Sequence, residues 1–365
     1  MNQVEAFFEQ VISVKWAPGK EAVDIIDQTL LPGKIKRIQL KQKEEIWEAI
    51  QSLRVRGAPA IGVMAAYGMA VMAQNIQTED YEFFCREYKK LSDYLASSRP
   101  TAVNLTWALN RLWAFVKASR GRPLSEIKKQ LFVEAEAIRE EDVAISRTIG
   151  RIGFDLLKDL KKEDRPVGIL THCNAGTLAT AKYGTATAPM YIALEEGWSG
   201  DQMHVYCDET RPLLQGIRLT SFELKNAGIK TTVQCDNMAS VLMAQGKIDI
   251  IFVGCDRVAR NGDAANKIGT NTLAILAGHY KVPFYVCAPS STIDMATATG
   301  DGIPIEIRDP DEITDMWYRE RMAPPDMDVF NPAFDVTSHT LISGIITERG
   351  LCRAPFDQAF ETIGL

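Results

Sequence analysis

"PVGILTHCNAGTLAT", residues 166–180, sets an apolar, β-branched run against a turn of small and polar residues, and the chain returns to that figure four more times. The later runs are "MHVYCDET" (203–210), "KTTVQCD" (230–236), "IDIIFVGCD" (248–256) and "VPFYVCAP" (282–289), parted by helix-length stretches such as "ASVLMAQGK" (239–247) and "NTLAILAGHY" (271–280). Short strands alternating with helices predict βαβ units, hence a parallel sheet covered on both faces. Right-handed crossovers then make this part a Rossmann-like, doubly wound α/β domain.

Upstream the rhythm differs. The first forty residues read as extended: "VKW" (14–16) and "AVDIIDQTLLPGKIKRIQLK" (22–41) alternate, with Pro32-Gly33 as a turn between two strands. From Lys43 the period becomes helical, with Ile46, Trp47, Ile50 and Leu53 on one face, and "IGVMAAYGMAVMAQ" (61–74) continues as a small-residue helix after Pro59. Further helices are predicted at about 80–98, 101–119 and 123–150. Residues 1–128 are therefore expected to form a smaller, mostly helical N-terminal domain that starts with a short β segment. Residues 129–365 are expected to form the Rossmann-like domain together with the connecting helix.

The 365 residues are 46% hydrophobic and 24% charged, the balance of a globular chain with room for two cores. A net charge of -6 gives no general attraction to nucleic acid or to an anionic membrane, so small metabolites are the expected partners. The seven cysteines are odd in number and contain no CxxC pair, which points to a reduced, cytoplasmic protein. "MNQVEAFFEQ" has no basic segment leading into an apolar core, and no run approaches the about 18 apolar residues of a membrane span. Neither secretion nor insertion is expected. GxGxxG, Walker A and HExxH patterns are absent, which removes the usual support for nucleotide chemistry.

In an open α/β sheet, ligands bind beyond the carboxyl ends of the strands. Those ends carry Cys173, Cys207-Asp208, Cys235-Asp236, Cys255-Asp256 and Cys287. Position does not choose among five thiols, because a strand-end cysteine is also a small inert hydrophobe. Cys173 is set apart by the Asn-Ala-Gly-Thr after it, read as a tight turn feeding a helix start whose free N–H groups suit a thiolate or a phosphate. A ligand-free turn fits the same residues. Asp256 closes the most apolar run, where burial would raise its pKa and suit a general acid; a helix cap or an ion pair with Arg257 is the equal alternative.

Asn266 and Lys267, in "NGDAANKIGT" (261–270), stand near an expected helix start and suit a phosphate or sugar hydroxyls, or else a solvated loop. Arg211, Gln215 and Arg218 follow a strand end at helix-like spacing and invite the same pair of readings. "LRVRGAPAIG" (53–62) places Arg54 and Arg56 before Gly57-Ala58-Pro59, where the chain turns into a helix, and "SSRPTAVNLTW" (97–107) offers a second arginine at Arg99. Singly each is a surface cation; as a pair they suggest a cleft closed from both domains. No metal site is expected. The four histidines are dispersed, and His172, opposite Cys173 in strand alternation, reads as a packed or hydrogen-bonded residue.

Taken together, "VRGAPAIG", "SSRPTAVNLTWAL", "LTHCNAGTLAT", "DETRPLLQGIRLTSFEL", "GCDRVARNGDAANKIGT", "IPIEIRDPDE" and "FNPAFDVTSHTLISGIITERG", in this order and over essentially the whole chain, resemble the methylthioribose-1-phosphate isomerases of methionine salvage. That family is distantly similar to the regulatory α, β and δ subunits of the exchange factor for translation initiation factor two, which share the fold without the catalysis. The resemblance implies a catalytic cysteine at Cys173 and a catalytic aspartate at Asp256. It implies substrate contacts at Arg56 with the Gly57 and Ala58 backbone, at Arg99, at Gln215, and at Asn266 with Lys267.

It further implies an aldose–ketose isomerase that needs no cofactor and forms a homodimer through the Rossmann-like domains. A phosphate on the anomeric oxygen blocks free ring opening, so Asp256 is expected to donate a proton to the ring oxygen while Cys173 acts as base or charge stabiliser. 5-Deoxyribose 1-phosphate and ribose 1,5-bisphosphate are alternative substrates, because a 1-phosphate clamp says little about C5. A non-catalytic regulatory subunit is the alternative from another class, and the presence of both Cys173 and Asp256 speaks against it.

Overall fold

A computed structural model describes residues 3–100 and 102–365. They form two compact units, Met1–Ala144 with Gly176–Gly184, and Ile145–Ala175 with Thr185–Leu365. Thr101, within the quoted Arg99 motif and at the start of the helix expected from 101, lies outside the described residues, as do Met1 and Asn2 of the opening decapeptide.

The N-terminal unit opens with α1 (Gln3–Val11), where an extended segment was expected. Val4, Phe7, Phe8 and Val11 recur at the spacing of one helical face and all four are buried, so a 3.6-residue period prevails there. A three-stranded antiparallel sheet follows, in the order β1 (Val14–Trp16), β2 (Val23–Ile26), β3 (Arg37–Leu40). Then come α2 (Lys43–Gln51), α3 (Ala58–Gln74), α4 (Tyr81–Ala96), α5 (Val103–Ala118) and α6 (Leu124–Asp159). α3 is apolar on every side, and residues 60–73 are all buried, which makes it the axis of this unit's core.

α6 runs nine residues beyond the end expected at Gly150. Gly150 and Gly153 serve contact here and do not break the helix. A Cβ at 150 would lie 2.7 Å from the Ile192 side chain, and one at 153 would overlap Pro189.

The second unit contains a seven-stranded sheet built on β4 (Val167–Thr171), β5 (Met203–Asp208), β6 (Lys230–Gln234) and β7 (Ile250–Val253). After β7 the chain makes a hairpin, β8 (Arg257–Ala259) and β9 (Ala264–Lys267), and goes on through β10 (Phe284–Cys287), β11 (Ile293–Asp294), β12 (Phe334–Thr337), β13 (Gly344–Thr347) and β14 (Gly350–Cys352). Its helices are α7 (Ala188–Glu195), α8 (Ser221–Asn226), α9 (Ala239–Ala244), α10 (Thr270–Tyr280), α11 (Asp311–Thr314) and α12 (Phe356–Thr362).

The strand order is β14-β13-β10-β7-β4-β5-β6, parallel throughout except for the β13–β14 pair. This is the doubly wound topology expected from the strand rhythm. The chain leaves β4 toward β5 and β6, then returns to lay β7 on the other side of β4. The order therefore reverses between β4 and β7, and their carboxyl ends mark the place where such sheets bind ligands.

A second, four-stranded sheet, β11-β8-β9-β12, was not anticipated from the sequence. "NGDAANK" shows no strand pattern because Asn, Gly and Asp crowd its first half, and those residues form the hairpin turn. Asp263 pins that turn, accepting from the N–H groups of Gly300 at 3.0 Å and His339 at 2.9 Å, from Asn261 Nδ2 at 2.8 Å, and pairing with His339 Nδ1 at 2.8 Å.

Burial opposes the charge on Asp263, but these donors outweigh it and hold the carboxyl at about 2. A depressed pKa contributes stability above the ordinary carboxyl value that is lost as pH falls through the folded one. Asp263→Asn should cost about 1–2 kcal/mol at pH 6 after allowance for partial exposure. In urea unfolding the gap from wild type should narrow as pH falls from about 4 toward 2; a gap independent of pH would refute the assignment.

Candidate active site

Cys173 sits just past β4 with its backbone in the left-handed region, φ 64°, which costs a non-glycine residue about 1–2 kcal/mol. Its N–H donates to Thr210 Oγ1 at 2.8 Å, and its carbonyl accepts from Thr220 Oγ1 at 2.6 Å. Asn174 is tied down as well, donating to Thr220 Oγ1 at 3.1 Å and to the fully buried Glu223 carboxylate at 2.9 Å. The free helix N-terminus expected after Cys173 is not found. Residues 177–179 make a single 3-10 turn, and the next helix, α7, begins at Ala188. "LATAKYGTA" is rich in alanine and threonine because it is buried, not because it starts a helix.

The other four strand-end thiols are driven toward the protonated form. Burial pushes Cys207 and Cys287 up, burial and then the charge of Asp256 push Cys255 well up, and the charge of Glu209 pushes Cys235 up. Cys255 donates to the Arg257 carbonyl at 3.2 Å, so a thiol fits that position as a neutral donor.

Asp256 follows β7 and donates its N–H to the Ala265 carbonyl at 2.9 Å, at the root of the β8–β9 hairpin. Its side chain is exposed, so the strand does not bury the carboxyl as its sequence context suggested. Arg257 pairs with Asp294 at 3.4 Å. The β4 and β7 ends meet closely: a Cβ on Gly254 would lie 2.5 Å from that of Ala175, so only glycine lets the Cys173 turn settle against β7.

Asn266 and Lys267 lie in β9 just before α10, so the expected helix start is there and the residues themselves sit on a strand. Asn266 is buried and donates to Thr270 Oγ1 at 3.0 Å, while the Lys267 ammonium stands 4.4 Å from the Phe334 ring centroid. Gln215 is 4% exposed and opens the wide helical turn Gly216–Thr220; its Oε1 is buried without a hydrogen-bond partner. Such an atom costs about 1–3 kcal/mol unless something completes it.

Arg211 and Arg218 are turned to packing. The Arg211 guanidinium donates to the Ile313 carbonyl at 3.0 Å, and Arg218 stacks on Trp317, 4.7 Å to the centroid.

Cys173, Gln215 and Asp256 thus follow β4, β5 and β7 of the large sheet, and Asn266 and Lys267 close β9 of the second sheet. Arg56, Gly57, Ala58 and Arg99 belong to the N-terminal unit. There Gly57, φ 89°, caps α3 and leaves room for Ala179, which a Cβ would overlap, and Leu178 accepts from Gln28 Nε2 at 2.9 Å. Arg99 lies between α4 and α5. Arg54 is absorbed by structure, bound to Asp27 and, at 2.8 Å, to Glu48.

His172 holds these loops together. Its Nε2 lies 2.8 Å from the Ile268 carbonyl, so that nitrogen must carry a proton; its Nδ1 lies 3.1 Å from Asp208 Oδ2. Gln234 Nε2 donates to the other Asp208 oxygen at 2.8 Å. Asp236 accepts from the N–H groups of Thr210 and Arg211 at 2.7 and 2.8 Å. Ligand-capable atoms of His172, Asp208 and Asp236 come within 4.8 Å of one another, but each side chain is already engaged by protein donors or acceptors. Sequence reading missed Thr210, Thr220 and Glu223, although all three stand inside "DETRPLLQGIRLTSFEL".

Residues 54–354 match the initiation factor 2 subunit family. The chain is 53% identical to the methylthioribose-1-phosphate isomerase of Symbiobacterium thermophilum over 355 residues, covering 97% of this chain and 96% of that one. It is 50% identical to the 5-deoxyribose 1-phosphate isomerase of Bacillus cereus, again over 355 residues, covering 97% and 99%. The crystal structure of 5-methylthioribose 1-phosphate isomerase from Pyrococcus horikoshii OT3 superposes with a TM-score of 0.91 at 40% identity, covering 100% of this chain and 99% of that one.

Burial opposes charge on His172, but the hydrogen bond and charge of Asp208, with Asp236 behind it, outweigh burial and raise its pKa; burial raises that of Asp208. The proton between them is thus retained above the ordinary histidine value of about 6.5. A raised pKa contributes stability that is complete below that value and lost as pH climbs through the folded one. His172→Gln should therefore cost most, about 2 kcal/mol, at pH 6 and progressively less toward pH 9. Thermal melts across that range test it, and a deficit that grows with pH would contradict it.

Proposed function

This chain belongs to the initiation factor 2 subunit family, and from that premise we propose that it converts 5-methylthioribose 1-phosphate into 5-methylthioribulose 1-phosphate. It is a sugar-phosphate isomerase of methionine salvage, like the relatives so named. One observation carries the reading of the site: Cys173 and Asp256 follow the two strands between which the strand order reverses.

In this proposal Asp256 protonates the ring oxygen as the C1–O4 bond breaks. Hydrogen then passes from C2 to C1, and the C2 hydroxyl loses its proton as it becomes the ketone, so the reaction is redox-neutral overall. Cys173 takes either the C2 proton, returning it to C1 while the C2 hydroxyl proton passes to solvent, or the C2 hydroxyl proton, while hydride moves directly from C2 to C1. Arg56 with the Gly57 and Ala58 amides, Arg99, Asn266 and Lys267 bind phosphate and sugar hydroxyls, and a substrate hydroxyl completes the buried Gln215 Oε1.

We propose a homodimer. Supporting it, the edge strand β6 is largely exposed, and Val233, Met238 and Val241 are apolar side chains near that edge left in solvent. A cytoplasmic location fits seven cysteines that are all free, and no described helix is long and apolar enough to cross a membrane. 5-Deoxyribose 1-phosphate is a second reading, favoured by the Bacillus cereus relative.

Turnover of both sugar phosphates, followed by NMR, should give the higher kcat/KM for the methylthio compound; the reverse order would select the second reading, and inactivity on both would end the proposal. Cys173→Ser and Asp256→Asn should each lower kcat by about 100-fold or more. Deuterium from solvent at C1 of the product would assign Cys173 to the C2 proton; its complete absence would count against that route. Sedimentation at the monomer mass would reject the dimer.

A further inference from the structure

We infer that Thr210 and Thr220 are positioning residues for the isomerisation: their two hydroxyls grip the Cys173 peptide from either side and hold it in the left-handed conformation that aims the thiol. The inference rests on the reading of Cys173 as the reacting thiol.

A left-handed backbone is easy for glycine and tolerable for asparagine, but unfavourable for cysteine. A cysteine kept only as packing would have no need of that conformation. Here it lifts residue 173 out of the strand alternation set by β4, in which His172 turns inward to Asp208. Some other contact must hold it there, and the two threonines supply that contact.

Both hydroxyls are buried and have their hydrogen-bond polarity fully assigned. Thr210 Oγ1 accepts from Cys173 N–H at 2.8 Å and donates to the Asp208 carbonyl at 3.1 Å. Thr220 Oγ1 donates to the Cys173 carbonyl at 2.6 Å and accepts from Asn174 Nδ2 at 3.1 Å. Neither hydroxyl has an obvious place to re-aim.

The grip is itself anchored. Thr210 is left-handed too, φ 66°, an outlier for a β-branched residue, and the Asp236 carboxylate holds its N–H and that of Arg211. Asn174, on the Thr220 side, is fixed by the buried Glu223. Two strained residues bonded to each other, with a carboxylate behind each side of the turn, form a built support.

The test compares Thr210→Val, Thr220→Val, Thr210→Ser, Thr220→Ser and Cys173→Ser. For each, kcat and KM on 5-methylthioribose 1-phosphate are measured, with thermal melts to verify folding. For all except Cys173→Ser, the rate of Cys173 alkylation by iodoacetamide is read by peptide mass spectrometry. Valine keeps the shape and removes the hydroxyl. Each valine variant should lose about 10-fold to 100-fold in kcat with KM within about 2-fold of wild type, and its Cys173 should alkylate at a rate about 5-fold or more from wild type. Serine should restore kcat to within about 3-fold, because it keeps the hydroxyl.

Folded valine variants with wild-type kcat and alkylation rate, or losses that serine does not rescue, would overturn the inference. Where a valine variant does not fold, the alanine variant, which leaves room as well as removing the hydroxyl, is held to the same criteria. Full activity in Cys173→Ser would overturn the reading of Cys173 itself; loss there with wild-type kcat in the valine variants would overturn only the threonine assignment.

Discussion

The reversal of strand order between β4 and β7 is the constraint on which the rest of the second unit depends. Right-handed crossovers carry the chain from β4 toward β5 on one side and from β7 toward β10 on the other. The two connections therefore leave in opposite directions, and a crevice opens above two strands that remain hydrogen-bonded at Ile169–Ile250 and Leu170–Ile251. The absence of a side chain at Gly254 lets the β7 end pass against Ala175. A methyl group there would push apart the turn that carries Cys173 and the hairpin that carries Asp256.

Around that crevice buried and half-buried polar groups hold the loops. His172 ties the end of β4 to the Ile268 carbonyl, Asp208 and Gln234 secure His172, Asp236 secures Thr210 and Arg211, and Glu223 secures Asn174. Each of these contacts is demanding, since an unmade bond at a buried polar group costs about 1–3 kcal/mol. The network can therefore keep Cys173, Thr210 and Leu214 in left-handed backbone that none of those residues prefers. Strain of this sort persists only where surrounding contacts over-determine it.

Much of the architecture was legible in the chain. Five β-branched runs ending in small or polar residues foretold the parallel sheet, and all five are strands of it. The errors have physical causes. α1 was read as extended although Val4, Phe7, Phe8 and Val11 share a helical face, because the strands that follow dominated the window. α6 was stopped at a glycine that exists for a neighbour's close approach. The β8–β9 hairpin carries no strand signal in the sequence because its turn residues outnumber the apolar ones around them, and its strand character comes from pairing with β11 and β12, far along the chain.

For the site, the sequence by itself determined which chemical groups are present and roughly where they fall: a thiol after β4, a carboxylate after β7, and an amide and an ammonium shortly before α10. Side-chain type and strand rhythm are local properties, readable without the fold. What only the tertiary structure decided is which of those groups are spoken for. Burial removes Cys207 and Cys287 from chemistry, Arg54, Arg211 and Arg218 turn to structural partners, and Gln215 keeps a buried oxygen unmatched. Only the fold, too, brought Thr210 and Thr220 to either face of the Cys173 peptide. Hydrogen bonds and burial depend on what lies alongside in space, and here the partners come from residues some forty positions away in the chain.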